Sequence, residues 1–288
     1  GKVRLRVFTE GEVLGTQPNF LEEAFAQKFR SNYPSLDKTT VIDLGLRGGF
    51  PEVLNFPMPD ITSWHNDYIE ALLERDLKDI INIRRKNSMR ALLEVLASWS
   101  GKFMDISAVT AGLSIQRPTV ESYINALEAL YLVEKVPPWI KTDYERVGRK
   151  YKLFMSDSGL MASLLNWNKE KVEFDCDKIG KLTETFIFNE LSTQIESSSN
   201  KYKIYHYRDR EQHEVDFIVE RDDGVILGIE IKAGATISKG DFKHLKWFEE
   251  HLHRQNNTPF IGVVLSSSSC VSSFGDNFWC VPMSSLWG

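Results

Sequence analysis

Two short apolar segments, each interrupted by acidic residues, constrain this chain more than any other feature. The first is Glu214–Glu220, with the sequence EVDFIVE, and the second is Gly228–Gly234, with the sequence GIEIKAG. Both have the β-branched content and the alternation of a strand, in which side chains two positions apart lie on the same face. Glu230 and Lys232 are therefore predicted to share one face of a sheet.

The residues between the two segments predict how they pair. Arg221–Gly224 has the composition of a tight turn, which folds two neighbouring strands into an antiparallel hairpin. That hairpin is predicted to bring Asp216 beside Glu230 and Lys232. Two carboxylates bind a hard divalent cation such as Mg²⁺ or Mn²⁺ through oxygen, and an ammonium orients a hydroxide or stabilises charge on phosphate. These three residues are predicted to be the catalytic group of a metal-dependent phosphodiester hydrolase.

The alternative interpretation of the same residues is a hairpin at the surface, with a salt bridge that contributes little stability. The apolar neighbours of Asp216 and Glu230 favour the catalytic interpretation, because an unpaired carboxylate on a covered sheet face costs free energy. Cleavage is a separate question, since nuclease-like cores are also used for binding and a fold does not define an activity.

Composition narrows the class of protein. The 288 residues are enough for two modest domains, and 42% hydrophobic with 26% charged residues is typical of globular proteins. No apolar run approaches the ~20 residues that span a bilayer, so no membrane partner is predicted.

The cysteines and the net charge bear on location and partners. Cys176, Cys270 and Cys280 lack CxxC spacing, which argues against disulfides and a zinc site and predicts a cytoplasmic location. The net charge of −5 counts mildly against a constitutive nucleic-acid binder, although the charge inside a cleft matters more.

Three segments are predicted along the chain. Residues 1–60 form a connecting region. In it the alternating basic and apolar residues of Lys2–Phe8 predict the last strand of a sheet whose other strands are missing, as in a fragment of a longer protein. Residues 61–168 are predicted to be helical and to include a winged helix-turn-helix. Residues 169–288 are predicted to form an α/β domain with a mixed central sheet, so the fold class is α+β.

The centre of the chain has the helix caps and turn residues expected of a winged helix-turn-helix. Asp105 is predicted to cap the helix Ile106–Leu113, and Ser114–Arg117 makes the turn. The helix Thr119–Leu132 follows, with apolar residues at helical spacing. The next segment is predicted to be a hairpin, the wing, made of the strand Val133–Ile140, the basic turn Lys141–Lys150 and the strand Tyr151–Met155.

The predicted DNA contacts lie at the start of the second helix and in the wing. They are Arg117, Thr119, Lys141, Arg146, Arg149 and Lys150. Contacts to phosphate position a protein on DNA without reading its sequence. Glu121 on the same helix repels phosphate, so non-specific contact is favoured over base-specific reading. The alternative is a winged helix that binds protein or links domains.

The last part of the chain alternates helices and strands. Lys181–Ile195 and a segment from Ser238 to about Leu252 are predicted to be helices. The predicted strands are Tyr202–Tyr207, Val215–Val219, Val225–Ile231 and Phe260–Leu265.

Several segments together resemble a known arrangement. Besides the two acidic strands, they are Gly48–Val53, Glu74–Leu77, Tyr151–Leu160 and Gly180–Glu184. With these segments in this order, the chain from about residue 45 resembles the C-terminal portion of a large group of bacterial and archaeal AAA-type ATPases. In that group a nucleotide-binding module is followed by a winged-helix segment and by a C-terminal domain of unknown function with a PD-(D/E)xK nuclease-like core.

The resemblance implies a fuller metal site. In nuclease cores of this type a helical glutamate often completes the site, which here points to Glu184; the alternative is an acid that interacts with the helix N-terminus. The implied Mg²⁺ ligands are Asp216, Glu230, Glu184 and the main-chain carbonyl of Ile231. Lys232 would orient the attacking water and stabilise the charge on phosphate.

The chain departs from that group in one respect. It contains no G-x-x-x-x-G-K-[ST] sequence, so no ATPase activity is predicted for this chain. The resemblance implies that ATP would bind only in an upstream module, of which the strand Lys2–Phe8 would be the remnant. The predicted function is that of the C-terminal region of an ATPase acting on nucleic acid, with a Mg²⁺-dependent DNA endonuclease site. The alternative is a non-catalytic module that binds nucleic acid or protein and directs the upstream ATPase to its target. An oligomer is compatible with either function.

Overall fold

The computed structural model describes residues 4–75, 86–140, 150–256 and 258–288. Within them the protein is α+β, with helices followed by a mixed sheet, as predicted. The described residues group by contact into two compact units. The first comprises residues 4–7, 42–75, 86–136 and 150–189, and the second comprises residues 8–41, 137–140, 190–256 and 258–288. The three predicted segments divide the chain by sequence instead, and they stay predictions.

Helices and strands are numbered here in chain order. The helices are α1 Glu10–Leu14, α2 Phe20–Ala26, α3 Lys38–Arg47, α4 Met58–Arg75, α5 Lys86–Ser98, α6 Ile106–Leu113, α7 Arg117–Ala129, α8 Ser158–Leu164, α9 Lys169–Val172, α10 Cys176–Ser197 and α11 Lys243–Asn256. The strands are β1 Lys102–Phe103, β2 Val133–Val136, β3 Lys152–Met155, β4 Tyr202–Arg208, β5 Glu214–Arg221, β6 Ile226–Lys232, β7 Phe260–Ser266, β8 Ser272–Ser273 and β9 Phe278–Pro282. Short 3₁₀ turns occur at Pro51–Val53, Lys239–Phe242 and Met283–Leu286.

The first unit contains a small antiparallel sheet with strand order β1-β3-β2, together with α5, α6 and α7. Asp105 caps α6 as predicted, since its carboxylate accepts the N–H groups of Ser107 at 3.0 Å and Ala108 at 3.2 Å. Helix α7 buries Val120 and Leu127, which are two of its predicted apolar residues. The order helix, strand, helix, helix and hairpin follows from these local signals.

The predicted hairpin strand Val133–Ile140 is wrong beyond Val136. Strand β2 ends there because Pro137 and Pro138 follow, and proline has no N–H to donate to a strand ladder. Residues 137–140 belong to the second unit, where the Trp139 N–H donates to the His206 carbonyl at 2.6 Å and the His206 N–H donates to the Pro137 carbonyl at 3.1 Å. The proline pair therefore marks the change from one unit to the other.

The predicted strand at Lys2–Phe8 is also wrong where the structure describes it, since residues 4–8 lie in no strand. The alternating arginines have another cause. Arg4 and Arg6 both bind the Glu134 carboxylate, at 2.8 and 2.7 Å, and Arg4 lies over the Tyr131 ring at 4.6 Å. Burial raises the pKa of Glu134, but the two guanidinium groups outweigh burial and hold it below its ordinary value.

Two of the segments that carry the family resemblance meet in the first unit. Asp157 caps α8 through the Leu160 N–H at 2.6 Å and also accepts the Gly49 N–H at 2.8 Å. Gly48 has a φ of 70°, and a Cβ atom there would lie 2.4 Å from the Asp157 carboxylate, so only glycine fits. Next to this contact His65 is fully buried, with Nδ1 at 2.8 Å from the Ser163 hydroxyl.

We expect His65→Gln to reduce the acid sensitivity of the first unit. Burial lowers the pKa of His65 below its ordinary value of about 6.5, against the opposing charge of Asp157. The unfolded chain therefore binds the proton more tightly, and the stability that comes from neutral His65 is present above about pH 6.5 and lost as the pH falls below it. Hydrogen exchange of α4 and α8 peptides at about pH 7.5 and 5.5 should show a smaller change in the variant. An unchanged pH dependence would contradict this assignment.

The second unit is built on a six-stranded mixed sheet with the order β4-β5-β6-β7-β9-β8. The first three strands are antiparallel neighbours, β6, β7 and β9 are parallel, and β8 is antiparallel to β9. The four predicted strands and the helix after Ser238 are confirmed, whereas β8 and β9 were missed. Helix α11 covers one face, and a Cβ atom at Gly228 would lie 2.8 Å from the Leu245 side chain, so this helix packs directly on β6.

Candidate metal-binding and catalytic site

A β-bulge in β5 lies at the predicted aspartate. Tyr205 of β4 pairs with Ile218, and Tyr207 pairs with Val215, so two steps along β4 correspond to three along β5. The extra residue falls within Asp216–Phe217. Bulges re-aim side chains and are common beside active sites. No local sequence pattern predicts this bulge, because the alternation of apolar residues continues through it.

The bulge places Asp216 against the neighbouring strand. Its Oδ2 atom accepts the N–H of Ile231 at 2.9 Å. Ile231 is the residue between Glu230 and Lys232, and the Lys232 Nζ lies 3.8 Å from Glu230 Oε2. The structure therefore brings together Asp216, Glu230 and Lys232, with Ile231 at the centre, as the hairpin prediction required.

The three side chains differ in their access to solvent. Glu230 is 8% exposed at its side chain and Lys232 is 40% exposed, while Asp216 is half-buried. Leu245 of α11 and Phe260 of β7 pack over Gly228, two residues before Glu230. The carboxylate of Glu230 thus lies at the edge of a covered sheet face. The ammonium of Lys232 extends from the same face into solvent.

This group of atoms suits a hard cation. The carboxylates of Asp216 and Glu230 and the carbonyl of Ile231 are all oxygen donors, the type that Mg²⁺ and Mn²⁺ prefer. Asp216 accepts the Ile231 N–H through Oδ2, and its carboxylate carries a second oxygen of the same donor type. The donor set therefore fits Mg²⁺ or Mn²⁺.

Glu184 lies in the first unit and has a local partner there. Its Oε1 atom is 3.0 Å from Nζ of Lys152, a lysine whose side chain is only 2% exposed. Gly101 approaches the same carboxylate so closely that a Cβ atom would lie 2.9 Å from Glu184 Oε2. The fourth metal ligand implied by the resemblance is thus the partner of a buried lysine, and its role at a metal stays a prediction.

One side chain beside the carboxylates, His244, was missed from the sequence. The N–H of Glu214, two residues before Asp216, donates to Nδ1 of His244 at 3.2 Å. His244 lies in the first turn of α11, one residue before the buried Leu245. The helix itself was predicted, but a helical pattern does not state which strand the helix will cross.

A second set of ligand-type side chains lies in the loop before β5. One ligand atom each from Asp209, Glu211 and His213 lie within 4.8 Å of one another. His213 Nδ1 is 2.8 Å from Asp209 Oδ2, and its ring stacks on Trp247 with centroids 4.0 Å apart. Burial raises the pKa of Asp209, but the hydrogen bonds from His213 outweigh it and hold the pKa low.

The predicted DNA contacts are described only in part. Arg117 is exposed at the start of α7, but its guanidinium binds the Glu121 carboxylate at 2.8 Å. Thr119 is partly exposed, and Lys150 is exposed at the end of the predicted wing. Lys141, Arg146 and Arg149 lie outside the described residues. Among the helices that the structure does describe, none is long and apolar enough to cross a membrane.

Two family models match successive parts of the chain. Residues 38–171 match a domain of unknown function, DUF8612, and residues 179–286 match another, DUF4143. Domains of the second kind are common in the C-terminal regions associated with AAA ATPases. No solved structure matches the chain significantly.

Two curated mycobacterial proteins are similar to this chain. They are the uncharacterized proteins Rv2008c of Mycobacterium tuberculosis and Mb2031c of Mycobacterium bovis, each 28% identical over 196 residues. The match covers 68% of this chain and 43% of each relative, so it spans less than half of the proteins it resembles.

Proposed function

We propose that the second unit is a metal-dependent phosphodiester hydrolase acting on nucleic acid, in the first instance a DNA endonuclease, with a PD-(D/E)xK nuclease-like core. One observation carries the proposal: the Asp216 carboxylate is hydrogen-bonded to the N–H of Ile231, between Glu230 and Lys232. Two carboxylates and an ammonium on adjacent strands are the groups that this chemistry requires.

Each residue has a defined role in the proposed site. Asp216, Glu230 and the Ile231 carbonyl hold Mg²⁺ or Mn²⁺. When bound, the ion neutralises charge on phosphate and lowers the pKa of water. Lys232, with its ammonium exposed to solvent, orients the attacking water and stabilises the negative charge that grows on the phosphate oxygens.

The test is a cleavage assay on single-stranded, duplex and branched DNA in Mg²⁺ or Mn²⁺, with Asp216→Asn and Lys232→Ala as variants. Metal-dependent cleavage that both substitutions abolish supports the proposal. No cleavage under any of these conditions would leave the second candidate, a non-catalytic module that binds nucleic acid or protein. The 3.8 Å contact between Lys232 and Glu230 favours that candidate, since the ammonium already partly neutralises the carboxylate.

We further propose that α5, β1, α6, α7, β2 and β3 form a winged helix that contacts the DNA backbone. The order of these elements and the antiparallel hairpin support this assignment. Together with the DUF4143 match, it supports a role as the C-terminal region of a AAA-type ATPase, with ATP bound by a module outside this chain. The winged helix would bring the nuclease-like site to its substrate.

Glu121→Gln is expected to strengthen non-specific DNA binding. Glu121 pairs with Arg117 on the exposed part of α7, and both side chains are more than 40% exposed, so the pair contributes little stability. Removing the carboxylate leaves Arg117 available to phosphate, and one extra phosphate contact steepens the salt dependence of binding by about one unit. Fluorescence anisotropy over a salt series measures both effects. Arg117→Ala is the matched variant and should weaken binding; equal affinities for all three proteins would contradict DNA contact by α7.

A further inference from the structure

His244 is the imidazole nearest the start of β5. Its Nδ1 atom accepts the Glu214 N–H at 3.2 Å, which fixes the neutral ring with its proton on Nε2. Among the described residues Nε2 has no hydrogen-bond partner, and it is not enclosed by protein atoms. The ring therefore presents an N–H donor to solvent, two residues from Asp216 along the strand.

The surroundings of His244 keep that donor neutral. Burial lowers the pKa of His244. The neighbouring groups His213, Lys243 and Lys232 lower it further, and Glu214 opposes them. The imidazole lies beside the predicted site because it contacts the main chain of Glu214, two residues before Asp216. A protonated ring would carry a hydrogen on Nδ1 and lose the bond from the Glu214 N–H, so the main-chain contact and the charges act in the same direction.

We propose that His244 is a further catalytic residue of this site, which donates a hydrogen bond from Nε2–H to a phosphate oxygen of the substrate. The inference rests on the proposed function of the second unit. The ring keeps its proton throughout, because loss of a proton from neutral imidazole would leave an imidazolate. Its effect is to stabilise the charge that builds on phosphate as water attacks, in the manner of an oxyanion-hole donor.

Helix α11 and the loop before β5 hold the ring in place. Leu245, the next residue, packs over Gly228 of β6, and Lys239–Phe242 leads into the helix behind a capping box at Ser238. On its other side the His213 ring lies 5.9 Å from that of His244 and is fixed by Asp209 and Trp247. His244 is therefore set on packed elements, as positioned catalytic donors are.

The proposal is tested with His244→Ala and His244→Gln in the full chain. A glutamine keeps an N–H donor but cannot act as an acid, whereas alanine removes the donor. Loss of one such donor typically reduces the rate about 10²-fold. We expect that loss for His244→Ala and a rate within about 10-fold of wild type for His244→Gln. Wild type and His244→Gln should also have pH–rate profiles of the same shape. His251→Gln, one heptad later on α11, is the matched control and should cleave like wild type.

The outcomes separate this proposal from the one on which it rests. If wild type cleaves DNA and His244→Ala cleaves equally, the donor role is overturned while the nuclease function stands. Loss of activity in both variants would instead indicate that the ring acts as an acid, which also overturns it. If wild type cleaves nothing, the nuclease proposal fails. Binding of a labelled oligonucleotide in Ca²⁺ then tests whether His244 contacts phosphate. Weaker binding by His244→Ala but not by His244→Gln supports the phosphate contact, and equal binding, or none by wild type, rejects it.

Discussion

Replacing Asp216 with asparagine should reduce metal-dependent cleavage by about 10²–10³-fold and leave the fold intact. The carboxylate has two functions, which this substitution separates. One oxygen accepts the Ile231 N–H, and the amide oxygen of asparagine still accepts it. The substitution removes the negative charge that attracts a cation toward Glu230. The hydrogen bond to Ile231 therefore remains, while the electrostatic contribution of Asp216 to cation binding is lost.

A matched control lies in the hairpin that joins β5 to β6. Asp222→Asn removes one negative charge from an exposed turn and should change neither cleavage nor stability. The Mn²⁺ affinity of the three proteins, measured by calorimetric titration, gives a readout that does not depend on knowing the substrate. Asp216→Asn with wild-type affinity for Mn²⁺ would show that the cation, if any, binds elsewhere.

Replacing Glu184 with glutamine should destabilise the first unit by about 3 kcal/mol or more. Lys152 is 2% exposed, and Glu184 supplies the carboxylate 3.0 Å from its ammonium. A buried charge that loses its charged partner is expensive, whereas replacing both partners with neutral groups of similar volume is often tolerated. Lys152→Met combined with Glu184→Gln should therefore recover most of the lost stability. Hydrogen exchange of peptides from β3 and α10 measures the change within the first unit of the intact protein.

An exposed pair in the same unit is the control for Glu184. Asp43 and Lys169 are 2.8 Å apart with side chains 52% and 42% exposed, so Asp43→Asn should cost no more than about 1 kcal/mol. The same variants also test the predicted metal role. If Glu184→Gln is as stable as wild type but has lost cleavage, the carboxylate acts at the metal and the structural account is wrong.

The sequence predicted the secondary structure of the candidate site because the signals there are local. Alternation in β5 and β6, the turn between them and the Ser238 cap each depend on residues next to one another. It could not predict the bulge at Asp216, which is visible only in the pairing of Tyr205 and Tyr207 with β5. The error at Lys2–Phe8 has the same origin, since Glu134 is distant in sequence from Arg4 and Arg6. The error beyond Val136 is different, because Pro137 and Pro138 are a local signal that ends the strand.

The assignment of Glu184 shows a different limit. The predicted helix Lys181–Ile195 put Glu184 near a helix start, whereas α10 begins eight residues earlier at Cys176. From sequence, such a glutamate fits an interaction with the helix N-terminus, a metal ligand or the partner of a buried cation. Lys152 begins an otherwise apolar strand, and the sequence does not indicate whether its side chain is buried. The structure shows that this side chain is only 2% exposed. His244 was missed for a related reason, because its contact with Glu214 depends on where α11 crosses the sheet.

The most direct test is a crystal of the protein grown with Mn²⁺ and examined by anomalous scattering. The central claim is that three ionisable side chains from two neighbouring strands form one cation site. We therefore expect an anomalous peak within bonding distance of both the Asp216 and the Glu230 carboxylates. Lys232 should then have moved away from Glu230. A Mn²⁺ ion bound only at Asp209, Glu211 and His213 would contradict the account. So would Asp216 and Glu230 carboxylates that keep their contacts with Ile231 and Lys232 and bind no ion at millimolar Mn²⁺.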